Sequence, residues 1–351
     1  MRGDMTATLS DLGLHLFTTC PPSYSATPHG YRQHVIEVAR WSEAAGCTGA
    51  LIYTDNGTVD PWLVAQTVLM HTERLAPLVA VQPVYLHPYS VAKLVATLGF
   101  LHGRRVFLNM VAGGFKNDLA ALGDTTPHDE RYARLIEYTQ LIMRLLTAPG
   151  GGPVTFAGKY YDVTNVKLAP PLAAELIPGV FVSGSSAAGL DAARDLGALA
   201  VQYPKPVAEY EAAPLANVAN LGIRVGIIAR TESAEAWQVA NARFPTDRKG
   251  EVTHQLAMKV SDSSWHQQLS ELGKELGSGE RDGDDPYWMV PFETYKTFCP
   301  YLVGSYDRVA EEIARYVGVG YRTVILDIPP SLDELLHIGT AFQRVAEIVA
   351  S

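Results

Sequence analysis

The sequence predicts an α/β protein built as a (β/α)8 TIM barrel. Three observations predict it. Short β-branched and apolar runs alternate with longer stretches whose apolar residues recur at helical spacing, through nearly all 351 residues. The short runs are apolar on both faces, as strands of a buried parallel sheet are. No Pro/Gly/Ser-rich linker divides the chain, so residues 1–351 read as one domain instead of a doubly wound sheet followed by a second domain.

The first strand-like run is Gly13–Phe17. A helix over Tyr31–Ala45 follows, with Val35, Ile36, Val38, Ala39 and Trp41 at helical spacing. Gly49–Tyr53 is the second strand, Trp62–His71 a helix, Pro77–Gln82 the third strand and Val91–Leu101 the next helix. Val106–Val111 is the fourth strand. The long helix Asp129–Leu146 opens on acidic residues that suit the positive end of its dipole. Gly152–Leu168 reads as an inserted hairpin, with Val154–Phe156 and Tyr160–Val163 joined by a turn at Ala157–Gly158–Lys159. The fifth strand is Val180–Ser183, then a helix Ala187–Leu196, the sixth strand Ala198–Gln202, a helix Val207–Ala216 and the seventh strand Ile223–Ala229. A helix Ser233–Phe244 has Ser233 as its expected cap. A helix Asp307–Val317, the eighth strand Thr323–Ile328 and a closing helix Leu332–Val349 complete the pattern.

Residues 245–300 break the rhythm. They are polar, charged and Gly-rich, above all at Gly277–Ser278–Gly279–Glu280–Arg281–Asp282–Gly283–Asp284–Asp285. An insertion after the seventh strand falls at the C-terminal mouth of a barrel, where active sites of this fold lie. It therefore reads as a lid or substrate loop.

Composition narrows the function. With 28 Lys+Arg against 37 Asp+Glu, a net charge of −9 and no basic cluster, the chain lacks the footprint of a nucleic-acid binder. At 47% hydrophobic it can bury a large core. Apolar runs such as Ala76–Val81 are far too short to span a bilayer, and Met1–Leu14 has no secretory pattern. Cys20, Cys47 and Cys299 are few, odd in number and widely spaced, which fits a cytoplasmic protein better than a disulfide framework. The ten histidines form no H-x-H or H-E-x-x-H spacing, so no metal site is expected. A G-x-S-x-G elbow, a P-loop and a G-x-G-x-x-G after the first strand are all missing.

The candidate chemistry sits at strand ends. Asn109, in Phe107–Leu108–Asn109–Met110–Val111–Ala112–Gly113–Gly114, can donate and accept towards a planar heterocycle, and the glycines after it let backbone approach a flat ligand. Gly184–Ser185–Ser186 opens a helix with free N–H groups, two hydroxyls and a positive dipole end. It reads either as a phosphate site or as an ordinary serine cap. His128 and Tyr132 stand four residues apart on one face of the long helix, where the tyrosine could reach the same phosphate. Asp55, Asp60 and Asp327 lie near strand ends without identifying a carboxylate pair, and Asp55–Asn56–Gly57 reads as a turn.

Together these pieces resemble the bacterial-luciferase-like flavin-dependent monooxygenases, and within them the alkanesulfonate monooxygenase branch. The matching stretches run in order along nearly the whole chain. They include His29–Gly30–Tyr31, Gly46–Cys47–Thr48–Gly49–Ala50–Leu51–Ile52, Asp60–Pro61–Trp62–Leu63–Val64–Ala65, Arg104–Arg105–Val106–Phe107–Leu108–Asn109, His128–Asp129–Glu130–Arg131–Tyr132 and Phe156–Ala157–Gly158–Lys159–Tyr160–Tyr161. Gly184–Ser185–Ser186, Ile223–Arg224 and Leu302–Val303–Gly304 complete them. The resemblance implies reduced FMN (FMNH2) bound at the barrel mouth, delivered by a separate NAD(P)H-dependent FMN reductase, with O2 as co-substrate. By the same resemblance, Asn109 and Ala112 lie against the isoalloxazine or ribityl chain, and Gly184, Ser185 and Ser186 hold the phosphate with Tyr132 and His128 assisting. Arg224 and Thr58 fall on catalytic positions, and Tyr295 and Lys296 on substrate-side lid positions. The family resemblance further implies a homodimer or homotetramer.

The departures are specific. Thr58 stands where the sulfonate enzymes have a cysteine, and Gly226 where they have a histidine. Leu326–Asp327–Ile328–Pro329–Pro330–Ser331 replaces a tyrosine after the eighth strand, and a lid arginine is replaced near Tyr295–Lys296. The flavin site is kept and the expected substrate is not a simple alkanesulfonate. Similar lid and tail sequences occur in flavin enzymes of natural-product assembly lines, some acting on carrier-bound substrates. A deazaflavin-dependent oxidoreductase and a non-catalytic flavin-binding homologue are the alternative readings.

Overall fold

The computed structural model describes residues 9, 13–24, 26–215, 220–245, 247, 248, 250 and 285–350. The central part of the expected lid, 251–284, lies outside the described residues. The strands are β1 (His15–Thr19), β2 (Gly49–Ile52), β3 (Ala76–Val81), β4 (Phe107–Val111), β5 (Val154–Ala157), β6 (Asp162–Val166), β7 (Val180–Ser183) and β8 (Leu199–Gln202). They continue with β9 (Leu221–Arg230), β10 (Tyr287–Trp288), β11 (Tyr301–Ser305) and β12 (Tyr321–Leu326). Their hydrogen-bonded order is β10-β11-β9-β12-β1-β2-β3-β4-β7-β8, and β9 also pairs with β8. Eight of them therefore form the closed parallel sheet of a (β/α)8 barrel, as expected. The helices are α1 (Pro28–Ala44), α2 (Pro61–His71), α3 (Pro88–His102), α4 (Lys116–Ala121), α5 (His128–Thr147), α6 (Ala187–Leu196), α7 (Val207–Ala212), α8 (Ser233–Arg243), α9 (Val290–Glu293), α10 (Tyr306–Gly318) and α11 (Leu332–Ala350).

The chain divides into two compact units. The first is Met1–Thr19, Trp41–Thr48 and Val201–Ser351; the second is Cys20–Arg40 and Gly49–Ala200.

In the second unit β3 is buried along its whole length, the burial expected of a parallel strand covered on both faces. Local chemistry sets the helix ends. Asp60 caps α2 by accepting from the N–H groups of Trp62 and Leu63, with Pro61 preset for the first turn. The Ser186 side chain caps α6, and Gly197 at φ 60° closes it in the left-handed conformation. The inserted hairpin is present, but β6 starts at Asp162, later than the sequence suggests. The reason is Glu137 of α5, whose carboxylate accepts from the backbone N–H groups of Lys159, Tyr160 and Tyr161 at 2.8, 2.8 and 2.6 Å. Those groups are thereby withdrawn from the ladder. A Cβ at Gly158 would lie 2.3 Å from the same carboxylate, so a larger residue there would have to displace Glu137 from its three N–H partners.

In the first unit β9 is a ten-residue strand, buried throughout, that serves two neighbours. Its N-terminal half pairs with β12, Arg224 opposite Ile325, and its C-terminal half with β11, Tyr301 opposite Gly226. β10 adds antiparallel to β11. The sequence pattern shows neither β10 nor β11: one has two residues, and the other is a short Gly-containing run whose pairing depends on the extra length of β9. α7 ends at Ala212 instead of Ala216 because Ala213 precedes Pro214 and is held out of the helical region at φ −140°. Ser233 does not cap α8. Its Oγ instead accepts from the N–H of Ser305 at 3.0 Å.

Glu137→Ala is expected to lower unfolding free energy by about 2 kcal/mol, the usual value of losing hydrogen bonds to a charged acceptor. Hydrogen exchange at Tyr160 and Tyr161 should accelerate with it. Exchange at those two amides as slow as in the parent protein would contradict the anchoring role.

Candidate functional site

In the second unit β7 delivers Gly184–Ser185–Ser186 to the N-terminus of the ten-residue α6. That end carries unpaired N–H groups and the positive dipole end. Ser186 has the ordinary capping role, its Oγ accepting from Gly189 N–H at 3.1 Å. Ser185 is different. Its Oγ is buried and has no hydrogen-bond partner among the described residues. An unmet buried hydroxyl costs about 1–3 kcal/mol, a cost that a ligand acceptor removes.

Tyr132, on the second turn of α5, is 8% exposed and hydrogen-bonds to Ser186. Its hydroxyl occupies the space beside Gly184, where a Cβ would come within 2.3 Å of it. Burial pushes the phenol up and the Ser186 hydrogen bond opposes this, so Tyr132 stays a neutral donor at physiological pH. The His128 ring packs edge-on against Tyr132 with centroids 5.3 Å apart, and its Nδ1 lies 2.7 Å from Asp129 Oδ1. Nearby in the ladder, the Ser183 hydroxyl donates to Asn109 Oδ1 at 2.7 Å, and β4 leads directly into the buried Ala112. A glycine without Cβ, an orphaned hydroxyl, a capped helix start and a tyrosine donor together fit a phosphate monoester.

Thr58 stands on the loop after β2. Its Oγ1 accepts from Asp55 N–H at 3.3 Å, which closes the turn that Gly57 N–H makes to Asp55 Oδ1 at 2.7 Å. It lines a cavity of about 240 Å³ with Asp55, Trp62, Gln82 and Tyr85. The cavity has room for part of a flat ring or a small acyl group. Burial together with the carboxylates of Asp118 and Asp55 pushes Tyr85 up to about 12, so it too is a neutral donor.

In the first unit Arg224 is 3% exposed. One guanidinium nitrogen donates to the Tyr203 hydroxyl at 2.9 Å, and another lies 3.7 Å from Asp327 Oδ1. The Arg224 Cζ stands 5.6 Å from the Tyr203 ring centroid. The Tyr301 hydroxyl donates to Asp327 Oδ2 at 2.8 Å. The Tyr301 ring covers Gly226, where a Cβ would sit 2.2 Å from it. That ring takes the volume a side chain at residue 226 would have used. Tyr295, at φ 57°, packs edge-on with Phe298, and Lys296 pairs with Asp247 at 2.6 Å. Tyr287, Trp288 and Phe292 are buried in the base of the insertion.

The structure thus gathers His128, Tyr132, Gly184, Ser185 and Ser186 and puts Asn109 beside the strand that carries them. Sequence reasoning did not pick out Tyr203 and Tyr301. The one available signal was Gly226 inside a strand, which marks a close approach by another group.

Comparison with known proteins follows the same line. The sequence pattern of the luciferase-like monooxygenases matches residues 12–323. The 4-(γ-L-glutamylamino)butanoyl-[BtrI acyl-carrier protein] monooxygenase BtrO of Niallia circulans is 33% identical over 327 residues, covering 92% of each chain. Among solved structures, riboflavin lyase RcaE with modified FMN and riboflavin superposes with a TM-score of 0.72 at 15% identity, over 96% of this chain and 91% of that one. The F420-dependent tetrahydromethanopterin reductase of Methanopyrus kandleri gives 0.62 at 16% identity, over 96% and 99%. At these identities the two structures share the fold.

Gly226→Ala is expected to destabilise the protein by about 1–3 kcal/mol, because the Tyr301 ring must shift. Chemical denaturation checks this, and a loss under about 0.5 kcal/mol, the range of an ordinary surface change, would contradict the packing of Tyr301 on Gly226.

Proposed function

This chain belongs to the luciferase-like monooxygenase family, and from that premise we propose that it is the oxygenating component of a two-component system using reduced FMN and O2. It is a flavin-dependent monooxygenase. The observation that carries the FMN reading is the buried Ser185 Oγ, without a hydrogen-bond partner among the described residues, beside Tyr132 at the N-terminus of α6. Reduced FMN, when bound, would supply the two electrons that activate O2 for transfer of one oxygen atom to the substrate, the other leaving as water.

The chain's own residues bind and orient. Ser185 and Tyr132 donate to the phosphate, Gly184 leaves the Tyr132 hydroxyl its place beside the turn, and Ser186 keeps the helix start in place while sharing its hydroxyl. His128 packs on the Tyr132 ring and holds its direction. Asn109 and Ala112, at the end of β4, are assigned to the isoalloxazine or ribityl chain, where the buried amide offers directional hydrogen bonds and the methyl a flat contact. Thr58, on the wall of the 240 Å³ cavity, presents a hydroxyl in place of a thiol at the reacting end. Burial around these groups limits water, which favours oxygen transfer over unproductive loss of reducing power.

The substrate class is supported by the BtrO relative, whose name gives an acyl group attached to a carrier protein. We assign this chain a small organic or carrier-bound substrate in natural-product biosynthesis. An NAD(P)H-dependent FMN reductase is its partner, and the cytoplasm its compartment. A homodimer or homotetramer is supported by Leu63 and Met70, exposed by 68% and 62% and seven residues apart on one face of α2. No helix among the described residues is long and apolar enough to cross a membrane.

Anaerobic titration with reduced FMN tests the site. Ser185→Ala and Tyr132→Phe should each weaken binding by about tenfold, the effect of one hydrogen bond to a charged group. Unchanged affinity in both variants would overturn the phosphate site. Tight binding of the deazaflavin coenzyme with none of reduced FMN would overturn the cofactor.

A further inference from the structure

The 240 Å³ cavity of the second unit lies beside the ends of β2 and β3, and its lining is one-sided in its chemistry. Part of the wall is apolar, from Trp62, Ala80, Val81 and Leu86. The charged groups on the wall are both carboxylates, Asp55 and Asp60, and no Lys, Arg or His joins them. Neutral donors hold both. Asp55 accepts from Gly57 N–H at 2.7 Å and from the Tyr24 hydroxyl, and Asp60 Oδ1 accepts from the N–H groups of Trp62 and Leu63 at 2.8 and 3.3 Å. Neither carboxylate has an ion-pair partner among the described residues. Asp118 adds a third negative charge nearby, and burial together with the Asp55 carboxylate pushes it up. The positive end of the α2 dipole offsets part of the Asp60 charge, and Lys116 is exposed on α4 outside the lining. Asp55 is thus the uncompensated charge of the cavity.

Gln82 points to a ligand independently. It is 9% exposed and lines the same cavity. Its amide nitrogen donates to the Thr54 carbonyl at 3.3 Å. A carbonyl only accepts, so this bond fixes which way the amide faces and turns Oε1 away from Thr54. That oxygen has no hydrogen-bond partner among the described residues. The hydroxyls beside it are already committed: Tyr85 donates to Asn56 Oδ1 at 2.7 Å, and Thr58 faces the Asp55 carbonyl at 3.5 Å. The wall therefore has acceptors to spare and few free protons, and a buried acceptor without a donor is costly.

We propose that this cavity takes a primary ammonium group carried on a short apolar stem, with the N–H groups directed to Gln82 Oε1 and the Asp55 carboxylate and the stem against the apolar wall. An ammonium has three donors and no acceptor, and its charge answers that of Asp55. A carboxylate end would meet repulsion, and a hydroxyl would supply one donor without charge. The proposal deepens the reading of the substrate as a small organic or carrier-bound molecule and rests on it: the part of the substrate that enters here is a cationic amine.

The probes are n-pentylammonium, 1-pentanol and pentanoate, equal in length, titrated calorimetrically into the full-length protein without flavin in an amine-free buffer. Unaltered protein should bind pentylammonium saturably, about tenfold or more tightly than pentanol, with no saturable binding of pentanoate. Asp55→Asn keeps an acceptor for Gly57 and should weaken pentylammonium by about tenfold while leaving pentanol unchanged. Pentylammonium should raise the Tm of the unaltered protein and not that of Asp55→Asn. Absent or equal binding of the three probes, preference for pentanoate, or full ammonium affinity in Asp55→Asn would each overturn the proposal. Saturating FMN should leave the pentylammonium affinity unchanged; competition between them would give the cavity to the flavin ring and overturn it as well. Because the first titrations contain no flavin, their failure leaves the Ser185 and Tyr132 test of the phosphate site standing.

Discussion

The hydroxyl of Tyr132 stands in the volume that a side chain at residue 184 would need. Much of the second unit is arranged around that exclusion. It docks the start of α5 against the turn at the end of β7, and the hydrogen bond to Ser186 fixes the approach. Farther along α5, the Tyr138 hydroxyl donates to the carbonyl of Leu86 at 2.9 Å, and Glu137 gathers three N–H groups of the hairpin. One helix thus braces the Gly184–Ser186 turn, the entry to α3 and the inserted hairpin. Its polar groups are spent on these bonds because a buried donor left without an acceptor is costly. Ser185 Oγ stands out against this background as a buried hydroxyl with nothing to bond among the described residues.

The first unit has its own constraint in the length of β9. A ten-residue strand outruns β12, and its surplus is taken up by β11. The changeover lies between Val225 and Gly226, which places Arg224 in one ladder and Tyr301 over the other. The charge of Arg224 is then met inside the protein by Asp327, and the carboxylate is itself fixed by Tyr301.

Most of the fold was legible because buried parallel strands announce themselves as short apolar runs. Val180–Ser183 and Ala187–Leu196 were readable to the residue, helped by the serine turn between them and the glycine after. β11 was not, since five residues with a glycine carry little periodicity and its partner is fixed only by register with β9. The Gly184–Ser185–Ser186 turn was legible as a motif, and its two serines could not be told apart: one caps a helix and the other has no hydrogen-bond partner among the described residues, a difference made by packing. The pairing of Arg224, inside β9, with Tyr203 and Asp327, just after β8 and β12, joins three strands distant in sequence, and no local pattern encodes it. The late start of β6 likewise depends on a carboxylate from another element.

A net charge of −9 opposes the approach of an anionic cofactor at long range. The conflict dissolves if the phosphate is held by hydroxyls and helix N–H groups at short range, where long-range acidity is screened within about 8–10 Å at ordinary salt. The claim that the turn at Gly184–Ser186 binds a phosphate is therefore tested most directly by removing the phosphate from the ligand. In anaerobic titrations of the unaltered protein, reduced FMN should bind at least 100-fold more tightly than reduced riboflavin, or about 2.7 kcal/mol. Equal affinities for the two would contradict the account.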